Sequence, residues 1–287
     1  MHDDTRRKFG QNFLVDNAVC RAIADDANPV DGGTIIEIGP GAGAITEYLV
    51  ARGRVVAVEI DPKWAEKLPR KVPKGADLVV VNKDALHIDL EEWLAPGPTG
   101  ILPVLCGNLP YNRASAILIR NLPHIRRYRH MTFMTQWEVA KRICAQPGGR
   151  DFGSLSVLVA NYAIPEIRLK IGPDSFRPRP RVHSGTFILR PKPEPMVTDP
   201  LYPWFVRAAF KQKRKTLRNS LLMTFPAPAV DAALLACELA PGIRGEQISP
   251  EGFAQLFTAF LPHMEKLRQT LEASLSVELS TEESDEV

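Results

Sequence analysis

The chain of 287 residues has few cysteines and no long apolar run. Its four cysteines, Cys20, Cys106, Cys144 and Cys237, are scattered and include no Cys-x-x-Cys pair. This pattern is typical of reduced cytosolic thiols, so we expect a cytoplasmic protein with no disulfide and no metal site. No apolar run reaches the roughly 18 residues that a membrane-spanning helix needs. Residues 1–8 lack the apolar core of a signal peptide, so we expect neither secretion nor membrane insertion.

The glycine-rich loop lacks the spacing of the common nucleotide-binding loops. Residues 34–38 form a short apolar segment typical of a strand, and Gly39-Pro40-Gly41-Ala42-Gly43 follows it. The pattern Gly-x-Gly-x-Gly differs from the Gly-x-Gly-x-x-Gly of dinucleotide binders and has no Gly-Lys-Ser/Thr ending. Glycines still let the backbone turn sharply and approach a ligand closely. We predict a ligand-binding loop that leads into a helix over residues 44–51.

Carboxylates follow or end two further predicted strands. Glu59 lies in the apolar segment 54–60, 20 positions after Gly39, and Asp84 follows the segment 77–81. The carboxyl ends of parallel strands meet at one edge of a sheet, which is where ligands bind in open α/β folds. We expect Glu59 to accept the two hydroxyls of a ribose and Asp84 to accept the amino group of an adenine. Each acid taken alone could instead be a solvated strand end.

The tetrapeptide Asn108-Leu109-Pro110-Tyr111 follows the apolar segment 101–107. The Asn side-chain oxygen and a carbonyl of Leu109 or Pro110 could accept the two hydrogens of an exocyclic amine. The Tyr ring could stack on the base, as aromatic rings do with extruded nucleobases. The other interpretation is an ordinary strand-to-helix turn. The glycine loop and the two acids earlier in the chain favour the first interpretation, a site that binds a base with an exocyclic amine.

Positive charge is concentrated outside the C-terminus. The whole chain carries +3 and residues 265–287 carry −5, so residues 1–264 carry +8. Residues 201–220 contain no acid and six bases, namely Arg207, Lys211, Lys213, Arg214, Lys215 and Arg218. A second basic group contains Arg168, Lys170, Arg177, Arg179 and Arg181. A charge run is often only a solvated face, but basic groups beside a base-binding motif favour a partner with a phosphate backbone.

The chain divides at the proline-rich residues 191–195. Before them, alternating strand and helix patterns predict a doubly wound parallel sheet over residues 1–192, completed by late strands over 164–171 and 182–189. After them, residues 193–264 are predicted to be all-helical, with helices over 203–212, 215–224, 230–239 and 250–261. Ser249 is a candidate N-cap, with Pro250 at the first helical position. We expect residues 265–287 to be an acidic, largely disordered tail.

Taken together, these motifs resemble the small-subunit ribosomal RNA adenine N6,N6-dimethyltransferases, the KsgA/RsmA family. The matching stretches are residues 8–14, 37–43, 58–61, 84–86, 108–112, 176–184 and 213–221. In this order the motifs are highly specific, and the resemblance covers roughly residues 6–260. Two residues depart from the family pattern. Arg113 stands where the family usually has an apolar residue, and Lys213 stands where an Arg is common.

The resemblance implies a Rossmann-like α/β domain with a small C-terminal helical domain. It implies transfer of methyl groups from S-adenosylmethionine to two adjacent adenosines in the 3′-terminal hairpin loop of 16S rRNA, leaving S-adenosylhomocysteine. The substrate would be the small (30S) ribosomal subunit, bound by a monomeric enzyme that contributes to subunit biogenesis. The implied cofactor-binding residues are Gln11, Asn12, Leu14, Gly39, Gly41, Glu59, Ile60, Asp84, Ala85 and Asn108.

The resemblance also implies roles in catalysis and RNA binding. Tyr111 and Phe176 would sandwich the target adenine, beside Asn108, Leu109 and Pro110. The predicted RNA-binding residues are Arg177, Arg179, Arg181, Lys211, Lys213, Arg214, Lys215 and Arg218. Three alternatives stay open: methylation of an adenine in large-subunit RNA or DNA, a non-catalytic RNA-binding assembly factor, and a dinucleotide-dependent oxidoreductase. The intact Glu59, Asp84 and Asn108 argue against a loss of catalysis, and the glycine spacing argues against the oxidoreductase.

Overall fold

The computed structural model describes residues 12–30, 32–94 and 100–264. These residues form two compact units. The first contains the chain up to Ala145 and the segment Tyr162–Pro195, and the second contains Gln146–Asn161 and the chain from Met196 onward. The sequence predicted a division at residue 192, and it gave no sign that residues 146–161 group with the C-terminal helices. The assignment of separate functions to the two domains stays a prediction. The predicted acidic tail lies outside the described residues.

The first unit is built from strands of mostly apolar sequence. In chain order they are β1 (Phe13–Leu14), β2 (Gly32–Ile38), β3 (Gly53–Val58), β4 (Leu78–Val81), β5 (Val104–Asn108), β6 (His130–Gln136), β7 (Ala163–Ile171), β8 (Phe176–Arg177) and β9 (Ser184–Pro191). Consecutive residues of β3, Val55 to Val58, are all buried. Such continuous apolar runs are typical of parallel strands that are covered on both faces. The strand predictions are confirmed, because β2, β3, β4 and β5 overlap the predicted segments 34–38, 54–60, 77–81 and 101–107.

The main sheet has seven strands in the order β4-β3-β2-β5-β6-β9-β7. The five strands from β4 to β6 run parallel. Within this sheet the chain first forms β2, moves outward through β3 and β4, and then returns to the other side of β2 to form β5. This reversal of strand order is a topological switch point, outside which ligands bind in such folds. The predicted doubly wound, Rossmann-like arrangement is thereby confirmed.

The sheet is mixed rather than entirely parallel. Strand β9 runs antiparallel to both of its neighbours, β6 and β7. The two late strands were predicted at nearly the observed positions, but their direction was not. A parallel connection requires a long crossover, usually a helix. Residues 172–183, which join β7 to β9, contain only one 3₁₀ turn, Pro173–Ser175, and the short strand β8, so the chain turns back within the sheet.

Helices cover the sheet and form most of the second unit. In chain order they are α1 (Asn17–Asp26), α2 (Thr46–Leu49), α3 (Pro62–Lys67), α4 (Glu91–Leu94), α5 (Ala114–Asn121), α6 (Trp137–Ile143), α7 (Ser154–Tyr162), α8 (Tyr202–Ala209), α9 (Leu217–Leu221), α10 (Ala227–Ala236) and α11 (Pro250–Phe260). Helix α2 is shorter than the predicted helix over residues 44–51. Within the described part of the chain, no helix is both long and apolar enough to cross a bilayer.

The second unit has an aromatic core, in which Phe205, Phe257 and Phe260 are almost fully buried. The Phe205 ring centroid lies 5.4 Å from that of Phe257 and 5.2 Å from that of Phe260. Helix α11 begins as predicted, because the Ser249 hydroxyl accepts a hydrogen bond from the Gly252 amide at 3.0 Å. Helices α8 to α11 confirm the helical pattern predicted from the sequence, with ends displaced by a few residues.

Candidate active site

A cavity of about 260 Å³ lies at the switch point, at the carboxyl ends of β2, β3 and β5. Its lining includes most of the residues that the sequence singled out, namely Asn12, Leu14, Gly39, Gly41, Glu59, Ile60, Asp84, Ala85, Asn108, Leu109, Pro110 and Tyr111. Gln11 lies outside the described residues. Residues 12–30, 32–94 and 100–264 contain no group of three or more His, Cys, Asp or Glu side chains that could hold a metal ion.

The glycine loop after β2 forms one wall of this cavity. Gly39 and Gly41 have φ angles of 68° and 54°, which side chains strongly disfavour. The Gly39 amide donates to the Val58 carbonyl at 2.9 Å and thereby ties the loop to β3. A Cβ on Gly41 would lie 3.2 Å from the Phe13 ring. The loop therefore needs glycine both for its turn and for its close packing against β1.

Glu59 lies at the end of β3 with only 2% of its surface exposed. One carboxylate oxygen accepts the Gly41 amide at 2.9 Å, and the other accepts the Asp61 amide at 2.9 Å. Burial raises the pKa of Glu59, while the Asp61 and Gly41 amides act in the opposite direction. Each carboxylate oxygen has more than one acceptor position, so both can still receive a hydrogen bond from a ligand.

Asp84 follows β4, and both of its carboxylate oxygens have partners. Oδ1 accepts the Leu86 amide at 2.9 Å, and Oδ2 accepts the Arg113 guanidinium at 2.8 Å. Burial alone would raise the pKa of Asp84, but the bonds from Leu86 and Arg113 outweigh it and leave the pKa lowered. The side chain therefore stays an ionised acceptor at the cavity wall.

The segment Asn108–Tyr111 occupies the end of β5. A Cβ on Gly107 would lie 2.3 Å from the Ile38 carbonyl oxygen, so glycine lets β5 approach β2 at this point. The Asn108 amide nitrogen donates to the Asn12 carbonyl at 3.3 Å. This bond leaves the Asn108 amide oxygen as the acceptor for a ligand. Leu109 is held by its amide, which donates to the Met134 carbonyl at 3.0 Å.

The Pro110 carbonyl is already occupied by the protein. It accepts the amides of Arg113 and Ala114, both at 2.9 Å. A carbonyl oxygen has two lone pairs, so these two bonds fill its capacity. The sequence suggested the Leu109 or the Pro110 carbonyl as a partner of an amine. The geometry favours the Leu109 carbonyl.

Tyr111 lies half-buried at the cavity, and its hydroxyl is 2.8 Å from the hydroxyl of Ser184 in β9. Ser184 is fully buried. Burial raises the pKa of Tyr111, and the contact with Ser184 partly offsets this effect. The phenol is thus a neutral group whose position is set by a residue 73 positions away in the sequence.

Comparisons with known proteins identify the family to which the chain belongs. The family model described as "Ribosomal RNA adenine dimethylase" matches residues 2–260. The chain belongs to the ribosomal RNA adenine dimethylase family. The "Ribosomal RNA small subunit methyltransferase A" of Aromatoleum aromaticum is 40% identical over 254 residues, which are 85% of this chain and 89% of the relative. The predicted enzyme class, an rRNA adenine dimethyltransferase, is confirmed, and the oxidoreductase alternative does not fit.

Solved structures resemble the dimethylase over most of its length. A dimethyladenosine transferase from Plasmodium falciparum has a TM-score of 0.73 at 22% identity, covering 86% of this chain and 97% of the other. The 23S rRNA methyltransferase ErmE has a TM-score of 0.63 at 26% identity, covering 87% of this chain and 99% of the other. These likenesses confirm the predicted α/β methyltransferase fold with additional C-terminal helices.

Sequence reasoning assigned no role to Glu37, although the dimethylase cavity includes it. Glu37 lies near the end of β2 with 1% of its surface exposed, and its carboxylate accepts the Thr46 hydroxyl at 2.6 Å. Its pKa is raised to about 7, mainly by burial and to a smaller extent by the nearby Glu59, while the Thr46 bond acts in the opposite direction. The sequence feature that could have indicated Glu37 is its charge, which interrupts the otherwise apolar segment 34–38.

Phe176 does not line the cavity of the dimethylase in this structure. It is fully buried in the core of the first unit, together with Leu14 and Ile171. Strand β8 holds it there, because Phe176 pairs with Leu14 of β1. The sequence signal was an aromatic residue in a basic loop, which does not distinguish a base-stacking ring from a core residue. Its predicted role in sandwiching the adenine stays a prediction.

The basic residues fall into two groups with different surroundings. In the first unit, Arg177 donates to the Phe176 carbonyl at 2.8 Å and Arg179 pairs with Asp174 at 2.6 Å. Arg181 is exposed. In the second unit, the turn between α8 and α9 carries four bases, Lys211, Lys213, Arg214 and Lys215, and all four are exposed. Arg218 pairs with Asp231 at 2.6 Å, so its charge is already partly offset.

The contact between Tyr111 and Ser184 predicts a non-additive pair of variants. Tyr111→Phe and Ser184→Ala should each slow methyl transfer about fivefold, because each removes the same hydrogen bond, worth about 1 kcal/mol. The double variant should be no slower than either single variant, whereas Tyr111→Ala should lose far more. Single-turnover methylation measures these rates. Thr132→Val, which removes a buried hydroxyl outside the cavity, is the control and should keep the parental rate. Full additivity in the double variant would contradict the interpretation.

The raised pKa of Glu37 predicts a pH-dependent stability. The folded state holds this proton more tightly than the unfolded chain, whose value is near 4.5. Protonated Glu37 therefore stabilises the fold. This contribution to the free energy of unfolding is fully present below pH 4.5 and is lost as the pH rises through about 7. Between pH 5 and pH 8, Glu37→Gln should gain up to about 3 kcal/mol in free energy of unfolding relative to the parent.

Urea unfolding at the two pH values measures this difference. The matched control is Glu47→Gln, since Glu47 is exposed, and it should change little with pH relative to the parent. A constant difference between Glu37→Gln and the parent would show that Glu37 titrates normally.

Proposed function

We propose that this dimethylase transfers methyl groups from S-adenosylmethionine to the N6 amines of two adjacent adenosines in the 3′-terminal hairpin loop of 16S rRNA. Its substrate is the small (30S) ribosomal subunit, its location is the cytoplasm, and it acts as a monomer in subunit biogenesis. The observation that carries the proposal is one cavity in which acceptors for a ribose and an adenine lie beside the Asn108 motif. Membership of the family supports the class of substrate.

The acceptors of the cavity fit the nucleoside half of the cofactor. The Glu59 carboxylate, held by the Gly41 and Asp61 amides, would accept the two ribose hydroxyls. Asp84 would accept the adenine amino group, and the glycine loop would pass close to the chain that carries the sulfonium. When bound, S-adenosylmethionine supplies an activated methyl group. The protein must then position a weak nucleophile, because the lone pair of adenine N6 is delocalised into the ring.

Two neutral acceptors would orient that amine. The Asn108 amide oxygen is fixed by the bond from its own nitrogen to the Asn12 carbonyl, and the Leu109 carbonyl would be the second acceptor. Hydrogen bonds to both N6 protons favour a pyramidal nitrogen whose lone pair points at the methyl group. Positioning of this kind supplies much of the rate enhancement. Fixed dipoles also stabilise the positive charge that develops on N6, and water then takes one proton.

The Tyr111 ring would stack on the target adenine, and the basic residues would hold the RNA. The exposed Lys211, Lys213, Arg214 and Lys215 would contact phosphates, which position an RNA without reading its sequence. Arg177, Arg179, Arg181 and Arg218 would add contacts, although Arg179 and Arg218 must first exchange an acidic partner for a phosphate. We therefore expect these two to contribute less than the lysines.

The proposed chemistry predicts a catalytic defect at Asn108. Asn108→Ala should slow methyl transfer by ~10²–10³, since it removes one positioned polar group from an active site. Affinity for the subunit should largely survive, because the basic residues supply it. The measurement is single-turnover transfer of labelled methyl to small subunits that lack the modification, with the label then mapped on the 16S rRNA. Asn28→Ala, at an exposed Asn outside the cavity, is the control.

Three outcomes would count against the proposal. Label in other nucleotides would overturn the substrate. A parental rate in Asn108→Ala would overturn the mechanism. A joint loss of melting temperature, cofactor and activity would make Asn108 a structural residue.

The proposed RNA contacts predict a change in salt dependence. Replacing Lys211, Lys213 and Lys215 with Ala should weaken binding to small subunits. It should also flatten the plot of log affinity against log salt by about 0.7–0.9 for each phosphate that no longer has a lysine partner, or about 2–3 in total. Filter binding over a salt series measures both effects. Alanine at the exposed Lys63, Lys71 and Lys74 of the first unit is the control with an equal change of charge. Equal slopes for the two triple variants would contradict a specific role for residues 211–215.

A further inference from the structure

Arg113 lines the cavity, and the structure gives its side chain a defined contact. Its guanidinium donates to Asp84 Oδ2 at 2.8 Å. Oδ1 of the same carboxylate accepts the Leu86 amide at 2.9 Å. Both side chains line the cavity, with 36% of Arg113 and 21% of Asp84 exposed. The two bonds together fix the carboxylate of Asp84 in one orientation.

The ion pair connects two distant parts of the sheet edge. Asp84 follows β4, at the edge of the sheet, and Arg113 follows β5, from which β4 is separated by β3 and β2. The Arg113 amide donates to the Pro110 carbonyl at 2.9 Å, so the residue belongs to the turn that carries Asn108 and Tyr111. The side chain of Arg113 therefore links the catalytic turn to the proposed adenine-binding acid.

The pair has room for a ligand as well. A carboxylate offers about four acceptor positions, and Arg113 and Leu86 use two of them. An ion pair as exposed as this one contributes little to the stability of a fold. Its effect should therefore be visible in ligand binding, where the direction of the remaining acceptor positions matters.

We propose that Arg113 is a positioning residue that anchors the adenine-binding carboxylate of Asp84 to the catalytic turn. The proposal rests on the function proposed above, in which Asp84 accepts the amino group of the cofactor. An apolar residue at position 113 cannot make this contact. In this protein, recognition of the amino group depends on Arg113 as well as on Asp84.

The test compares two ligands that differ only in that amino group. The probes are S-adenosylhomocysteine and its analogue with purine in place of adenine, and calorimetric titration gives both affinities. The parent should prefer the adenine ligand by about tenfold, as expected for a hydrogen bond to a charged acceptor that is partly exposed. Arg113→Leu should reduce this preference to about two- or threefold, mainly by weakening binding of the adenine ligand. Arg113→Lys should retain part of the preference, because it keeps the charge but not the planar fork.

Arg127→Leu is the matched control. Arg127 pairs with Glu91 and is 40% exposed, so it resembles Arg113, but it does not line the cavity. It should keep the parental preference. A purely structural role for Arg113 would weaken binding of both ligands equally and leave their ratio unchanged.

Each outcome is decisive. An unchanged ratio in Arg113→Leu overturns the inference and leaves the proposed function intact. A parent that binds both ligands equally overturns the assignment of Asp84, and the inference with it. A parent that binds neither ligand overturns the cofactor assignment itself.

Discussion

The carboxylate of Glu59 is buried at the end of β3, and an unpaired charge in such a place is costly. Two backbone amides offset that cost, one from Gly41 in the loop after β2 and one from Asp61 at the start of α3. The same two bonds fix the shape of the glycine loop and the entry to the helix. The rest of the cavity depends on this arrangement, because the loop packs on Phe13 of β1 and β1 pairs with β8. Removing the carboxylate would therefore release the loop as well as the proposed ribose contact.

A second buried carboxylate, that of Glu37, lies on the adjacent strand and has a hydroxyl rather than a cation as its hydrogen-bond partner. The charge of Glu59 raises the pKa of Glu37 further, so the two acids oppose each other's ionisation. A site of this kind favours a ligand that brings positive charge, which the sulfonium of the proposed cofactor does. The spacing of the glycines also differs from that of dinucleotide-binding loops.

The sequence predicted those parts of the site that depend on local pattern. The strand ends at or next to Gly39, Glu59 and Asn108 were predictable because apolar runs followed by polar residues mark the edge of a parallel sheet, and parallel strands bring those ends together. The contacts of Asp84 with Arg113 and of Tyr111 with Ser184 were not, since they join residues 29 and 73 positions apart. The burial of Phe176 and the occupied Pro110 carbonyl also arise from tertiary packing and backbone geometry. The antiparallel direction of β9 follows from a connection too short for a helical crossover, and the predicted strands over 164–171 and 182–189 already left only that short connection.

In the proposed mechanism, charged and neutral acceptors have different tasks. Glu59 and Asp84 carry formal charge and would hold the cofactor through groups that do not react. The acceptors next to the reacting amine, the Asn108 amide oxygen and the Leu109 carbonyl, are dipoles. A carboxylate in their place would take the proton of the strongly acidic cationic amine and lose its own charge. Neutral dipoles stabilise the developing charge while the methyl group moves, yet they let the amine lose its proton to water and turn for a second transfer. The position of each acceptor along the sheet edge thus agrees with whether its partner must stay or leave.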